Sequence, residues 1–86
     1  MRIIFTKNSC EDYTSWLHED KKMVKKINDL IKDIQRNPFD GKGKPEPLKY
    51  DLAGYWSRRT DREHRLVYQA DDNEVRIYAC RYHYDK

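Results

Sequence analysis

Apolar positions along this chain follow three successive rhythms. Ile3, Ile4 and Phe5 form a short β-branched and aromatic run closed by the polar Asn8-Ser9, so residues 2–6 predict a strand. A helical rhythm comes next. Val24, Ile27, Leu30, Ile31 and Ile34 recur every three or four residues and make one apolar stripe, which Asp20 can cap and Pro38 ends. Lys21, Lys22, Lys25, Lys26, Lys32 and Arg36 lie largely off that stripe and read as a solvated face. A shorter helix precedes it, N-capped by Ser9 with Asp12 or by Asn8 with Glu11, carrying Tyr13, Trp16 and Leu17 on one side. Beyond Pro47 the period falls to two. Residues 48–52, 55–60, 64–70 and 75–84 read as successive strands, separated by Ala53-Gly54, Asp61-Arg62-Glu63 and the acidic stretch from Asp71 to Glu74. Between the rhythms, residues 38–47 hold three prolines and two glycines, which exclude regular structure and mark a loop.

The order strand, two helices, antiparallel meander predicts an α+β fold: one twisted sheet with the helices packed on one face. Alternation assigns Leu66, Tyr68, Ala70, Val75, Ile77 and Ala79 to the core face and Arg59, Arg65 and Gln69 to the other. Pairing Ala70 with Val75 then sets Arg65 opposite Cys80 and sends His83 to the face away from the arginines. A bulge near Arg81, or departure of the tail from the sheet, is therefore expected if His83 is to work with Arg65.

Eighty-six residues predict a single domain over 1–86. With 38 % charged residues the chain would suggest disorder, but 13 % aromatics argue for a packed core. A net charge of +3 excludes a histone-like binder, so the placement of charge matters more than its sum. Arg58 to Arg65 contains four arginines and one histidine against two acids, a local anion-binding face. Cys10 and Cys80 fit neither a disulfide framework nor a zinc site, which points to the reducing cytoplasm. His18 and His64 lack a partner at metal-ligand spacing, so neither metal nor cofactor is expected. No signal-peptide core and no membrane-spanning stretch is seen.

Cleavage of RNA by its own 2′-hydroxyl needs a base, an acid for the departing 5′-oxygen, and positive charge on the phosphorane. Glu46, fixed between Pro45 and Pro47, is the candidate base or else a solvated acid on a stiff turn. His83, between Tyr82 and Tyr84, is the candidate acid or else a surface histidine near a chain end. Arg65 and Arg59 offer guanidinium forks suited to phosphates, or merely solubility. Tyr50, Tyr55, Trp56 and Tyr78 could stack on unpaired bases, although core packing is the commoner fate of such rings; Trp16 and Trp56 are assigned to core or interface.

Several blocks fall in order along nearly the whole chain: Lys25-Lys26-Ile27-Asn28, Gly41 to Leu48, Gly54 to Arg59, Glu63 to Tyr68, and Cys80 to Tyr84. In these the sequence resembles the YoeB toxins of the RelE/ParE superfamily from bacterial toxin–antitoxin systems. The resemblance implies a RelE-like microbial RNase fold and an mRNA interferase acting in the ribosomal A site. It implies catalytic roles for Glu46, Arg65, His83 and Tyr84, and RNA-binding roles for Lys49 and Arg59. It also implies a cognate antitoxin as partner, with the ribosome and mRNA as targets, and leaves a homodimer open. Asp85-Lys86 extend past the His-Tyr pair at which relatives end, adding a carboxylate beside the site. Two other functions compete: a toxin of the same superfamily that binds a protein such as gyrase, and a passive RNA-binding module. Convergence of Glu46, Arg65 and His83 on one cleft separates the first of these from a nuclease.

Overall fold

The computed structural model describes residues 1–83. Strand β1 (Arg2–Phe5) runs directly into helix α1 (Lys7–Glu19), with Thr6 as the hinge. Thr6 keeps an extended backbone and its hydroxyl accepts from the Ser9 N–H at 3.1 Å, capping the helix. The cap is thus two or three residues earlier than Asn8 or Ser9. Ser9 is instead fully buried inside the first turn, donating to the Ile77 carbonyl at 2.7 Å.

Asp20 both ends α1 and caps α2 (Lys21–Arg36), its carboxylate accepting from the Lys22 and Met23 N–H groups at 3.1 and 3.3 Å. The α2 stripe buries Ile27, Leu30, Ile31 and Ile34 as expected, with Met23 added and Val24 partly buried. Leu66, Tyr68, Val75, Ile77 and Cys80 from the sheet, together with Trp16 from α1, complete this core.

Five strands make one mixed sheet in the order β1-β5-β4-β3-β2. Strands β4 (His64–Ala70) and β5 (Glu74–His83) lie at its centre, and β1 joins β5 in parallel, Ile3 opposite Val75 and Phe5 opposite Ile77. On the other side β3 (Trp56–Arg59) pairs antiparallel with β4 and with β2 (Glu46–Pro47), the far edge. Two expectations change here. The strand anticipated over residues 48–52 is replaced by a single 3-10 turn, Tyr50–Leu52, because Tyr50 adopts a left-handed backbone (φ 57°) that no strand accommodates. Regular pairing moves back instead to Glu46–Pro47, inside the segment expected to be all loop. Pro47 is tolerated because β2 is an edge strand.

The β4–β5 ladder begins with Ala70 opposite Val75, and then slips twice. One extra residue, Tyr78, enters between the Tyr68–Ile77 and Val67–Ala79 pairs, and another between Ala79 and Tyr82. Arg65 therefore faces Tyr82 rather than Cys80. The slip near Arg81 is the expected bulge. The one at Tyr78 was not expected, and it moves Ala79 opposite Val67 and gives its core place to Cys80.

Bulges strand backbone groups, and α1 takes them up. Asp12 accepts the Cys80 N–H at 3.0 Å, and the Trp16 indole donates to the Cys80 carbonyl at 2.9 Å. Asp12→Ala is expected to leave that N–H unpaired and cost about 1–3 kcal/mol in urea unfolding. Loss of β5 amide protection from Ala79 onward, with the start of the strand still protected, is the accompanying sign in hydrogen exchange.

Candidate active site

The basic stretch from Arg58 to Arg65 does not form a single anion-binding face; it divides. Arg58 shares the core face with Leu66, its pairing partner, and is completely buried. Its Nε donates to the Tyr68 hydroxyl at 3.1 Å, Nη1 to Asp33 at 2.6 Å and to the Lys42 carbonyl at 3.1 Å, and Nη2 to the Asp40 carbonyl at 2.9 Å and to the Asn37 carbonyl. Tyr68 passes the network on to the Pro38 carbonyl. The loop after α2 is thus wrapped around one guanidinium, with its Asn37, Asp40 and Lys42 carbonyls accepting from Arg58 and its Pro38 carbonyl from Tyr68.

Asp33 answers the loop from α2. It accepts the Lys42 N–H at 2.9 Å, and that bond first, then Arg58, holds its carboxyl below the usual range. Gly41 is required at this contact. Its φ is +116°, and a Cβ there would lie 2.3 Å from Asp33 Oδ2.

What the loop delivers is Glu46, on the edge strand opposite Ser57. Arg65 reaches diagonally across β3 so that its Nη1 lies 2.7 Å from Glu46 Oε1 and 3.3 Å from Ser57 Oγ. Arg65 is buried, whereas the Glu46 side chain is 47 % exposed. A cation sunk in the sheet therefore holds one oxygen of a carboxylate that stays open to solvent. Glu46 also lines a cleft of about 400 Å³ with Lys49, Tyr50 and Tyr82, the last of these being the residue opposite Arg65 in the ladder. Tyr50 stands 91 % exposed at this cleft, Trp56 packs on Phe39, and Tyr55 on Tyr78. Of the rings considered for base stacking, Tyr50 is the one left fully open. Arg59, cross-strand neighbour of Arg65, is exposed and lines a second concavity with Lys26, Lys44 and Arg62.

His83 occupies the rung after the Arg65–Tyr82 pair, opposite His64. Successive rungs point to opposite faces, so His83 shares the His64 face and Tyr82 the Arg65 face. The two imidazoles meet edge-to-face at 5.9 Å between centroids, and His83 Nε2 lies 3.6 Å from Glu63 Oε2. Its side chain is 57 % exposed at the strand end and is not part of the core. The structure thus brings Glu46, Lys49 and Tyr82 to one cleft, with Arg65 holding Glu46 from within the sheet and His83 one rung beyond Tyr82, turned to the other face. Tyr84, Asp85 and Lys86 lie outside the described residues.

Sequence reading did not single out Arg58 or Ser57, and weighed Tyr82 only as a phenol beside His83 that could pack the terminus or hydrogen-bond a phosphate. A signal for Arg58 existed: period-two alternation from Trp56 puts it on the apolar face, where a guanidinium demands partners. Ser57 gave none, and the place of Tyr82 opposite Arg65 depends on cross-strand register.

The open mixed sheet with a short N-terminal strand and two helices is an architecture shared with solved bacterial toxins of YoeB/ParE type. The YoeB/ParE toxin of Agrobacterium tumefaciens superposes with a TM-score of 0.92 at 50 % identity, over 98 % of this chain and 100 % of that one. The chain belongs to the YoeB-like toxins of bacterial type II toxin–antitoxin systems, whose family model matches residues 5–84. Toxin YoeB of Escherichia coli K12 is 58 % identical over 84 residues, covering 98 % of this chain and 100 % of the relative. Staphylococcus aureus YoeB, solved as a dimer, superposes with a TM-score of 0.92 at 54 % identity, over 98 % of both chains. A Staphylococcus aureus YoeB in a heterotetrameric YoeB–YefM toxin–antitoxin complex gives a TM-score of 0.89 at 54 % identity, again over 98 % of both chains.

Because Arg58 is buried against Asp33, Asp33→Ala is expected to cost about 3–5 kcal/mol at neutral pH. The depressed carboxyl of Asp33 contributes stability that is present above its unfolded value of about 3.9 and lost as pH falls through the folded value. The Ala variant should therefore lose less on acidification than the parent. Urea unfolding of both at pH about 7 and about 3 tests this, and equal losses would contradict it.

Proposed function

We propose that this chain is a ribosome-dependent endoribonuclease that cleaves messenger RNA in the A site by general acid–base attack of the 2′-hydroxyl, without a metal. The observation that carries this reading is the Glu46–Arg65 pair, 2.7 Å apart, whose carboxylate lines a cleft together with Lys49. Glu46 removes the 2′-hydroxyl proton, the 2′-oxygen bonds to phosphorus, and the bond from phosphorus to the 5′-oxygen breaks. His83 hands a proton to that leaving oxygen. The products are a 2′,3′-cyclic phosphate and a free 5′-hydroxyl.

Arg65 neutralises the charge that grows on the phosphorane. Its burial strengthens that interaction, because little water competes for the guanidinium. The same guanidinium grips Glu46 Oε1 in the resting protein, so the carboxylate is already oriented when RNA arrives. Lys49 and Arg59 hold phosphates on either side of the scissile one, Tyr50 offers a face to an unpaired base, and Tyr84 adds a phenol to the phosphate site. His83 reaches the leaving oxygen by a turn of its side chain at the exposed strand end, or from its present face with the RNA passing round that end.

The partner that restrains such a nuclease is a cognate antitoxin, as YefM accompanies Staphylococcus aureus YoeB in its complex. A segment laid over the basic face would bury Arg59 and close the Glu46 cleft. Self-association follows the same relative, which also forms a dimer. The reaction takes place in the cytoplasm, where ribosomes and messenger RNA are found; no described helix is long and apolar enough to cross a membrane.

A primer-extension map of a defined message in a purified translation system tests the assignment. The parent protein should cut within codons when ribosomes are present, and Glu46→Gln and His83→Ala should each lower that cutting by about 10²-fold or more. An intact message with the parent protein would reject the nuclease and favour a protein target such as gyrase.

A further inference from the structure

His83 is packed against a second histidine that the proposed chemistry does not use. His64 stands opposite it on β4, and His64 is itself held from two sides. Its Nδ1 lies 3.1 and 3.2 Å from the two oxygens of Asp61, and the same Asp61 Oδ1 accepts the His64 and Glu63 backbone N–H groups at 2.7 and 2.8 Å. On the helix side its ring meets Trp16 edge-to-face at 5.0 Å. Trp16 is fixed in turn by its hydrogen bond to the Cys80 carbonyl and by the Arg81 guanidinium, 4.1 Å from the ring centroid. Arg81 is anchored to Glu19 at 2.7 and 2.9 Å and to Ser15 at 2.7 Å.

We infer that His64, clamped by Asp61 and Trp16, is a positioning residue that fixes the ring of His83 and couples its proton to its own. The inference rests on the reading of His83 as general acid. The clamp makes His64 Nδ1 the donor to Asp61, which leaves Nε2 as the position that gains or loses a proton. A proton arriving there puts a cation beside His83 and opposes protonation of the second ring. Glu63 acts in the other direction, 3.6 Å from His83 Nε2. On α1, Glu19 is paired with Arg81 and Asp12 accepts the Cys80 N–H. On β4 and β5 the adjoining pair is Arg65 with Tyr82, on the opposite face. The two imidazoles stand edge to face 5.9 Å apart, with Asp61 beside one and Glu63 beside the other, close enough for a charge on one ring to be felt at its neighbour.

Asp61 is suited to the clamp. Burial raises its carboxyl, but the two backbone N–H groups and the His64 ring outweigh that and hold it below the usual range. It therefore stays ionised wherever histidine titrates. Trp16 gives the clamp its rigidity, since α1 cannot tilt without breaking the bond that closes the bulge at Cys80.

Imidazole resonances followed by NMR through the histidine range, in the parent protein, His64→Gln and Asp61→Asn, decide the point. His18, the one other histidine, serves as an internal reference. In the parent, His64 and His83 should each show two inflections, one at its own titration and one at its neighbour's. In His64→Gln the His83 curve should become single and move to higher pH, and its Nδ1/Nε2 tautomer ratio should shift towards that of free imidazole. Asp61→Asn should move both rings while leaving His18 in place, and it covers the case in which His64→Gln fails to fold. Superimposable His83 curves in parent and variants, with native amide spectra, would overturn the inference. The pH profile of ribosome-dependent cutting is read in parallel. A shift in His64→Gln that matches the NMR shift, with KM unchanged, supports positioning. Coupled titration in a parent that cuts no message would sink the nuclease reading and leave the pairing of the histidines standing.

Discussion

The buried guanidinium of Arg58 is the constraint on which the remaining structure depends. All five of its N–H donors are used, on Tyr68, Asp33 and the carbonyls of Asn37, Asp40 and Lys42. A cation taken wholly out of water is tolerable only with such complete satisfaction, and the acceptors come from α2, β4 and the loop between α2 and β2. That loop has little apolar surface with which to hold itself down. Its path is fixed because its carbonyls are the ones Arg58 needs. Once fixed, it passes Gly43, whose carbonyl accepts the Arg59 N–H at 2.7 Å, and brings Glu46 to the edge of β3. A buried structural charge thus sets the position of an exposed one three residues beyond Gly43.

The second organising feature is the double slip in β5. An uninterrupted ladder would face Arg65 with Cys80; the two extra residues bring Tyr82 there instead, beside the Glu46 cleft. Each slip frees backbone groups, and the helix is placed to receive them, with Asp12 and Trp16 on the two polar atoms of Cys80. In a domain of 86 residues the core is small, so side chains that look like ordinary packing also serve as joints. Trp16 is a clear instance. It fills the core, closes the bulge, carries Arg81 on its face and seats His64.

The residues of the proposed site gather at the β2 edge of the sheet, away from the apolar centre. Edge strand β2 has few backbone bonds to lose, so it can carry a proline on each side of Glu46 and present the carboxylate to solvent. Arg65 does the opposite, keeping its charge inside the sheet and showing only its tip to the carboxylate. Pairing an exposed carboxylate with a buried guanidinium leaves Glu46 oriented by the fold and still open to solvent.

The sequence by itself determined the element types, the α2 stripe, the span of β4 and the likeness to a family, because these follow from local periodicity and from ordered blocks of residues. It anticipated a bulge near Arg81 that would turn His83 towards the arginines; the bulge is there, but the second slip at Tyr78 cancels its effect on facing, and His83 stays on the face away from Arg65. It misplaced the α1 cap and the second strand, since Thr6 and Ser9 are chosen by the carbonyls of Ile77 and Tyr78, and Glu46–Pro47 by the register of β3. It left Arg58 and Arg65 in one basic stretch, although alternation from Trp56 already set Arg58 on the apolar face. What the packed structure alone decides is that Arg58 collects loop carbonyls in the core while Arg65 reaches across a strand to Glu46. Alternation says which side of a sheet a residue faces, but the partners waiting there come from distant parts of the chain, and their distance and number exist only once the fold has closed.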